Sequence, residues 1–133
     1  MTDKSFTRSF DKLSKTQIKQ LLQQMANSWN IRDLRSFMTG YWNSPEVTFS
    51  SGGQVTKGWQ NTLRRYEKRY QSADADMGKL SFHAVTVNIL NSDAAFVHGQ
   101  WKLIGNKTCK GLFTLVMRRF SNSWRIVHDH SST

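Results

Sequence analysis

The sequence contains almost no cysteine or proline, and it has no long apolar run. Its single cysteine, Cys109, rules out an intramolecular disulfide, which suits a reducing compartment. No apolar stretch is long enough to span a membrane, and the opening residues, MTDKSFTRSFDKLSK, lack the apolar core of a secretory signal. We therefore expect a cytoplasmic protein without a membrane partner.

Acidic residues are scarce as well. The chain has 19 Lys and Arg against 9 Asp and Glu, so its formal net charge is +10. Such an excess attracts polyanions non-specifically, and a non-specific polyanion binder is one alternative function. Several basic residues gather at residues 64–69 on one predicted helix, but the aromatic residues of that helix share the opposite face and cannot stack on bases. Specific nucleic-acid binding is therefore not expected.

The length of 133 residues fits one domain with its own core, in which residues 1–12 form a loosely ordered N-terminal extension. Residues 13–29 have a helical period, and their apolar side chains share one face: Ile18, Leu21, Leu22, Met25 and Trp29. Ser14 and Gln17 have the spacing of a capping box, so the helix is expected to begin there. A short second helix is expected over residues 31–38.

A hairpin and a third helix complete the first half of the chain. Gly52 and Gly53 form the predicted hairpin turn, and the third helix starts near Trp59, with Tyr66 on the same face. From Leu80 onward the apolar period changes to two, and turn residues divide the rest into an antiparallel meander. This order predicts an α+β fold, in which about three N-terminal helices pack on the inner face of a cone-shaped, curved antiparallel sheet.

Alternation along the predicted strands assigns side chains to the two sheet faces. On the last strand one set shares a face: Trp124, Ile126, His128 and His130. Because this set begins apolar, we expect it to face the helices, and Asp129 is then expected on the outer face. The inner set of the two preceding strands is Val97, Gly99, Trp101, Leu103, Phe113, Leu115 and Met117. Gly99 among these large residues indicates a bend or a vacant space.

The inward residues predict an aromatic-lined pocket between the helices and the sheet. Its expected walls and polar groups are Trp59, Tyr66, Trp101, Phe113, His128 and His130. Small-molecule sites are commonly built from apolar walls with a few polar groups. A solidly packed core is the alternative that the pattern leaves open.

Several stretches of the sequence resemble a known family. Residues 124–132, WRIVHDHSS, resemble the closing strand of SnoaL-like domains of the nuclear-transport-factor-two-like superfamily. Residues 47–49, VTF, with the Gly52-Gly53 and Gly58-Trp59 pairs, resemble the hairpin and the third helix of these domains. The end of the chain is also similar to the association domain of calcium/calmodulin-dependent kinases.

The resemblance implies the cone-shaped fold but no single activity. The superfamily includes isomerases, cyclases, dehydratases and epoxide hydrolases, and also modules that only bind or oligomerise. The kinase association domains carry arginines in the pocket, whereas this sequence has Trp101 and Leu115 at the corresponding positions. This difference implies a more apolar pocket, and hence an apolar small molecule as its ligand.

His130 is the first candidate for chemistry in this pocket, followed by His128. An imidazole at a pocket mouth can act as an acid, a base or a hydrogen-bond donor near neutral pH. The alternative is a structural role at the end of the sheet. Zinc or iron would need a third protein ligand, and the sequence places none beside the two histidines, so we expect neither a metal nor a cofactor. The choice between catalysis and binding stays open.

The outer sheet face indicates a different class of function. Apolar residues are expected there, where a solitary domain would carry polar ones: Phe96, Leu112, Val116 and Val127. We therefore expect a homodimer through this face. A non-catalytic association module is accordingly the main alternative to a pocket protein.

Overall fold

The computed structural model describes residues 4–73 and 75–133, with side chains from Thr7 onward. Its helices are α1 (Lys4–Asn30), α2 (Leu34–Phe37), which continues as a 3-10 turn (Met38–Gly40), and α3 (Trp59–Tyr70). Its strands are β1 (Thr48–Ser51), β2 (Gln54–Lys57), β3 (Lys79–Asn91), β4 (Ala94–Ile104), β5 (Thr108–Phe120) and β6 (Ser123–Ser132). This order of elements is the predicted one, and the fold is α+β as expected.

The first helix is longer than predicted. It begins at Lys4, so the expected loose extension is helical from that residue onward, and residues 1–3 lie outside the described part of the chain. Ser14 is buried inside the helix, and its predicted place in a capping box is therefore wrong. The added turns have a partner on the sheet, because the guanidinium of Arg119 lies 5.1 Å from the ring centroid of Phe10.

The sheet has six strands in the order β2-β1-β6-β5-β4-β3. Strands β3 to β6 form the predicted antiparallel meander. The hairpin of β1 and β2 joins the same sheet through a parallel pair with β6, in which Thr48 lies opposite His128, so the sheet is mixed. The parallel direction follows from the preceding segment, where the amide of Trp42 donates to the carbonyl of Ile126 at 2.8 Å. None of the described helices is long and apolar enough to cross a membrane.

The helices pack on the inner face of this sheet, as the alternation predicted. The buried inner residues of β4 and β5 include Val97, Leu103, Phe113, Leu115 and Met117. Gly99 marks a bend and not a vacant space: a Cβ atom there would lie 2.9 Å from Cζ of Phe113. Opposite Gly99 the register of β3 shifts between His83 and Thr86, and Ala84 adopts a φ of 52°.

A β-bulge in the last strand reverses the predicted orientation of its second half. Met117 pairs with Ile126, but Val116 pairs with His128, so Val127 is an extra residue in β6. Up to Ile126 the alternation holds, and beyond the bulge the two faces exchange. Asp129 is consequently buried on the inner side. The predicted inward orientation of His128, and with it that of His130, is therefore wrong.

Candidate functional site

A cavity of about 100 Å³ lies between the helices and the half of the sheet beyond the bulge. Nine of its eighteen lining residues are aromatic, and they come from every layer of the fold; they include Trp29, Tyr41, Phe49, Tyr66, Trp101 and Phe113. Six of the others are Leu, Ile or Met, and the remaining three are two serines and Asp129. Tyr70, Phe82 and Trp101 are partly exposed and mark the mouth of the cavity.

Asp129 is the polar centre of this cavity, and only 4% of the residue is exposed. The hydroxyl of Tyr41 donates to its Oδ2 at 2.6 Å, and the hydroxyl of Ser131 donates to its Oδ1 at 2.7 Å. The hydroxyl oxygens of Tyr41 and Tyr66 lie 3.2 Å apart. Because Tyr41 gives its proton to Asp129, Tyr66 is the donor to Tyr41. The carboxyl group is thus held by one phenol directly and by a second phenol behind it.

Burial determines the protonation of this group. It raises the pKa of Asp129, and the hydrogen bonds that the carboxyl accepts, together with the two neighbouring histidines of β6, oppose the shift without cancelling it. Burial and the charge of Asp129 also raise the pKa of Tyr41 and of Tyr66 well above the usual value. Both phenols therefore stay neutral at physiological pH, and Asp129 is the member of the cluster that titrates.

Trp29 of α1 organises the aromatic wall. Its ring centroid lies 5.1 Å from that of Phe37, 5.8 Å from that of Tyr66 and 4.8 Å from that of Tyr70, each in an edge-to-face arrangement. Its indole N–H donates at 3.2 Å to the carbonyls of Met77 and Gly78 in the loop before β3. These contacts connect α1, α2, α3 and that loop, so the wall is fixed from several elements.

Arg65 of α3 holds the hairpin side of the cavity. Its guanidinium donates to the carbonyl of Ser51 at 2.8 Å and to the hydroxyl of Thr56 at 2.9 Å. The same group lies 4.8 Å from the ring centroid of Phe49. Phe49 and Ser51 line the cavity, so Arg65 positions this wall relative to the neighbouring Tyr66.

The structure brings three predicted wall residues to the cavity, namely Tyr66, Trp101 and Phe113. Trp59, also expected there, lies outside the lining: it is buried, and its indole N–H donates to the carbonyl of Met38 at 2.8 Å. Trp59 lies on the predicted face of α3, but its side chain is packed in the core and does not border the cavity.

Neither predicted histidine lines the cavity. Nδ1 of His128 lies 2.6 Å from the hydroxyl oxygen of Thr48, across the parallel pair of β6 and β1. His130 is exposed. In the described ranges, no three side chains of His, Cys, Asp or Glu gather where they could hold a metal ion.

Sequence reasoning missed Asp129 and Tyr41 as site residues. The signal for Asp129 was its position as a carboxylate inside a strand pattern, but an unbulged strand would have turned it outward. Tyr41 stands outside every periodic segment and reaches the site through an isolated bridge to Ile126. No local sequence pattern predicts an isolated bridge of this kind.

Comparison with known proteins identifies one family and one fold. The model of the SnoaL-like domain family matches residues 18–133. An NTF-2-like protein of unknown function from Shewanella oneidensis MR-1 has 34% identity and a TM-score of 0.84, with 90% of this chain and 99% of that chain covered. No curated protein sequence matches the chain.

Two more distant structures share the fold alone. An NTF2-like superfamily protein from Salmonella enterica serovar Typhimurium has 18% identity and a TM-score of 0.76, with 92% of each chain covered. An NTF2-like protein of unknown function from Pseudomonas putida KT2440 has 19% identity and a TM-score of 0.75, with 91% of this chain and 87% of that chain covered.

Proposed function

The chain belongs to the SnoaL-like domain family, and we propose that it is a small-molecule pocket protein in which Asp129 binds the polar group of the ligand. The observation that carries this proposal is the buried carboxyl group of Asp129 in an otherwise aromatic and aliphatic cavity. Ligand sites commonly combine apolar walls, a few convergent polar groups and a titratable residue with a shifted pKa. The role expected for His130 and His128 passes to Asp129 in this proposal.

The hydrogen bonds around Asp129 define what it can do. When ionised, the carboxylate accepts from Tyr41 and Ser131 and keeps further lone pairs for a ligand donor. When protonated, it becomes a donor to a ligand carbonyl or hydroxyl. The two hydroxyls fix the carboxyl plane in both states, so the group is oriented before a ligand arrives. The same geometry suits a general acid or a general base.

The size of the cavity limits the ligand. An engineered protein cavity of roughly 150 Å³ holds benzene, and the space here is about 100 Å³. By the same proportion, a body of about four non-hydrogen atoms is the largest that fits without movement of the walls. A ligand of five or six non-hydrogen atoms requires the partly exposed rings of Phe82 and Trp101 at the mouth to turn outward.

The indole N–H signals test the pocket, because two of the five tryptophans line it and the others do not. Trp29 and Trp101 line the cavity, whereas Trp59 and Trp124 are buried elsewhere. Titration of the ¹⁵N-labelled protein with cyclopentanol, and separately with cyclopentylamine, should shift the signals of the first pair and leave the second pair in place. If neither probe moves the first pair more than the second, the proposal is wrong.

A variant that fills the cavity provides the control. Leu115 lines the space beside Asp129, and Leu115→Phe should abolish the probe-induced shifts at a stability loss of about 1–3 kcal/mol for overpacking. Leu90→Phe makes the same change on the exposed end of β3 and should leave probe binding intact. Equal probe binding by the two variants would place the ligand elsewhere.

Self-association through the outer sheet face is a second candidate function. Leu112 is 60% exposed there, and the neighbouring Phe96 and Val116 pair across the strands on the same face. Sedimentation velocity at micromolar concentration should show a dimer for the native chain and a monomer for Leu112→Glu. Leu13→Glu, an equal change at an exposed position of α1, should stay dimeric. A native monomer would reject this function.

A further inference from the structure

The charges around the cavity are one-sided. Among the lining residues that the structure describes, Asp129 carries the one carboxyl group, and none is Lys, Arg or His. The two ion pairs found in the described chain join Lys57 with Glu46 and Arg119 with Asp93, and none of these four residues lines the cavity. The cavity thus holds a buried acid and no basic side chain, and the two histidines of β6 that act on this acid do so from outside the lining.

A buried carboxylate without a counter-ion is unfavourable, and it is relieved either by a proton or by a positive charge. The hydroxyls of Tyr41 and Ser131 stabilise the ionised form only in part, because hydrogen bonding does not replace the lost hydration. A ligand that carries a positive charge would complete the pair, and a charge-assisted hydrogen bond is about twice as strong as a neutral one.

The walls favour the same kind of ligand. Cations bind over aromatic rings, and sets of differently inclined rings form the cages that recognise alkylated ammonium groups. Neighbouring rings of this cavity are steeply inclined to each other: the interplanar angle is 83° between Trp29 and Tyr66, 78° between Phe37 and Tyr66, and 68° between Phe82 and Phe113. Rings therefore surround the space in several planes.

We propose that the cavity is selective for a small organic ammonium ion, whose nitrogen lies against Asp129 and whose carbon atoms lie against the aromatic rings. This inference rests on the proposed function and deepens it by naming the class of ligand. It also explains why a strongly basic chain keeps basic side chains out of its cavity: a cation in that lining would occupy Asp129 permanently.

The other charged groups near the site do not take the place of such a ligand. Arg65 on α3 is occupied by the hairpin oxygens and by the ring of Phe49. His128 and His130 lie on the outer face of β6, and the groups that reach Asp129 from the packed elements are the neutral phenols of Tyr41 and Tyr66. The inner side of the carboxyl group is left for the ligand.

Cyclopentylamine and cyclopentanol form a matched pair for the test, because they share one ring and differ in the charge of one polar group. At about pH 8 the amine is protonated, since alkylammonium groups titrate near the usual Lys value of about 10.4. Titration followed by the Trp29 and Trp101 indole signals should give a dissociation constant at least about tenfold lower for the ammonium ion than for the alcohol. Tetramethylammonium should also bind, which separates the aromatic contribution from N–H donation.

Asp129→Asn should remove the preference and bring the two dissociation constants within about twofold, while Asp93→Asn, on the exposed β3–β4 turn, should keep it. Lowering the pH of the native protein through the pKa of Asp129 should weaken the ammonium ion and leave the alcohol unchanged, which tests the inference even if the variant does not fold. Equal binding of both probes by the native chain would overturn the inference and leave the pocket function standing. Binding of neither probe would overturn both.

Discussion

The two ends of the inner sheet face are built from the same strands and packed in opposite ways. One cross-strand row, Ala95, Met117 and Ile126, is completely covered, with exposures of 0%, 0% and 1%; we refer to it as the closed row. Four residues further along β4 is the row of Gly99, Phe113 and Ser131, of which Phe113 and Ser131 line the cavity; we refer to it as the open row. Asp129 pairs with Leu115 in the row between them.

The difference shows how a pocket forms in a small fold. Each position of the closed row carries a fully buried side chain, and Ile126 alone among them also lines the cavity. In the open row Gly99 contributes none, and in the next row Gly111, opposite Trp101, contributes none either. The two glycines make room for rings that pack flat on the sheet: a Cβ atom at Gly99 would lie 2.9 Å from Cζ of Phe113, and one at Gly111 would lie 2.9 Å from Cζ2 of Trp101. Phe113 and Trp101 thus lie over the strands and form the floor of the cavity. The carboxyl group stands at the boundary, where it is buried and still reaches the cavity.

Truncation of one side chain in each region should reveal the largest difference in the free energy of unfolding between the closed row and the cavity. Met117→Ala in the closed row should lower the free energy of unfolding by an amount near the upper end of about 2–5 kcal/mol, because nothing nearby can fill the new void. Leu103→Ala at the cavity should fall near the lower end, because its removal only enlarges an existing space. Urea unfolding of both variants measures the difference. Equal losses would contradict the distinction between the two regions.

Tyr41→Phe should have the next largest effect, at the boundary itself. The change removes the donor to Oδ2 of Asp129 and leaves a buried acceptor unsatisfied, which should reduce stability by about 1–3 kcal/mol. Because this hydrogen bond lowers the pKa of Asp129, its loss should raise that pKa further. Ser131→Ala removes the other donor at a partly exposed position, where water can replace it, and should reduce stability by less. The reverse order of the two losses would show that Tyr41 is not the main support.

Much of the closed region could be predicted from the sequence, because the spacing of apolar residues in a helix or strand determines which side chains face the core. Alternation identified Val97, Leu115 and Met117 as inward, and the helical period identified the face of α1 that carries Ile18 and Trp29. These assignments depend only on residue spacing within one element. The same reasoning identified the aromatic character of the open region.

The candidate site itself depended on features with no local signature. The extra residue in β6, Val127, places Asp129 on the inner face, where simple alternation predicts His128. A sequence pattern cannot reveal such an insertion when the apolar residues before it still alternate. Helical spacing assigns Trp59 and Tyr66 to the same face of α3, and both were therefore expected to line the pocket. The two residues lie at different positions along the helix axis, and only Tyr66 reaches the cavity. Spacing along a helix gives the face, but the position of a cavity depends on how the side chains of the opposing strands pack.

The pH dependence of stability tests whether the boundary carboxyl is buried as described. Its folded pKa is raised above the unfolded value of about 3.9, so its contribution is present in full below about pH 4 and is lost as the pH rises through the folded pKa. Asp129→Asn stays neutral throughout. The stability of the native chain relative to this variant should therefore decline as the pH increases across that window.

Chemical unfolding at a series of pH values measures this relative stability. Asp93→Asn serves as the control, because Asp93 is exposed and its ion pair with Arg119 at 3.6 Å is a surface contact. The decline should be absent when the native chain is compared with this second variant. A rise in the relative stability of the native chain over Asp129→Asn would mean that the folded pKa is lowered, and the carboxyl would then be supported better than its burial indicates.

His130→Ala should have the smallest effect and decides between the two orientations of the last strand. If the strand lacked the bulge, His130 would stand at the pocket mouth, and its removal would weaken probe binding. In the bulged strand His130 is exposed on the outer face, so its removal should change the free energy of unfolding by no more than about 0.5 kcal/mol and leave cyclopentylamine binding unchanged. His128→Ala is the matched comparison, because it removes the contact with Thr48 between β6 and β1 and should cost about 0.5–1.5 kcal/mol, again without loss of binding. Loss of binding in His130→Ala alone, with stability retained, would restore the histidine to the site and remove Asp129 from it.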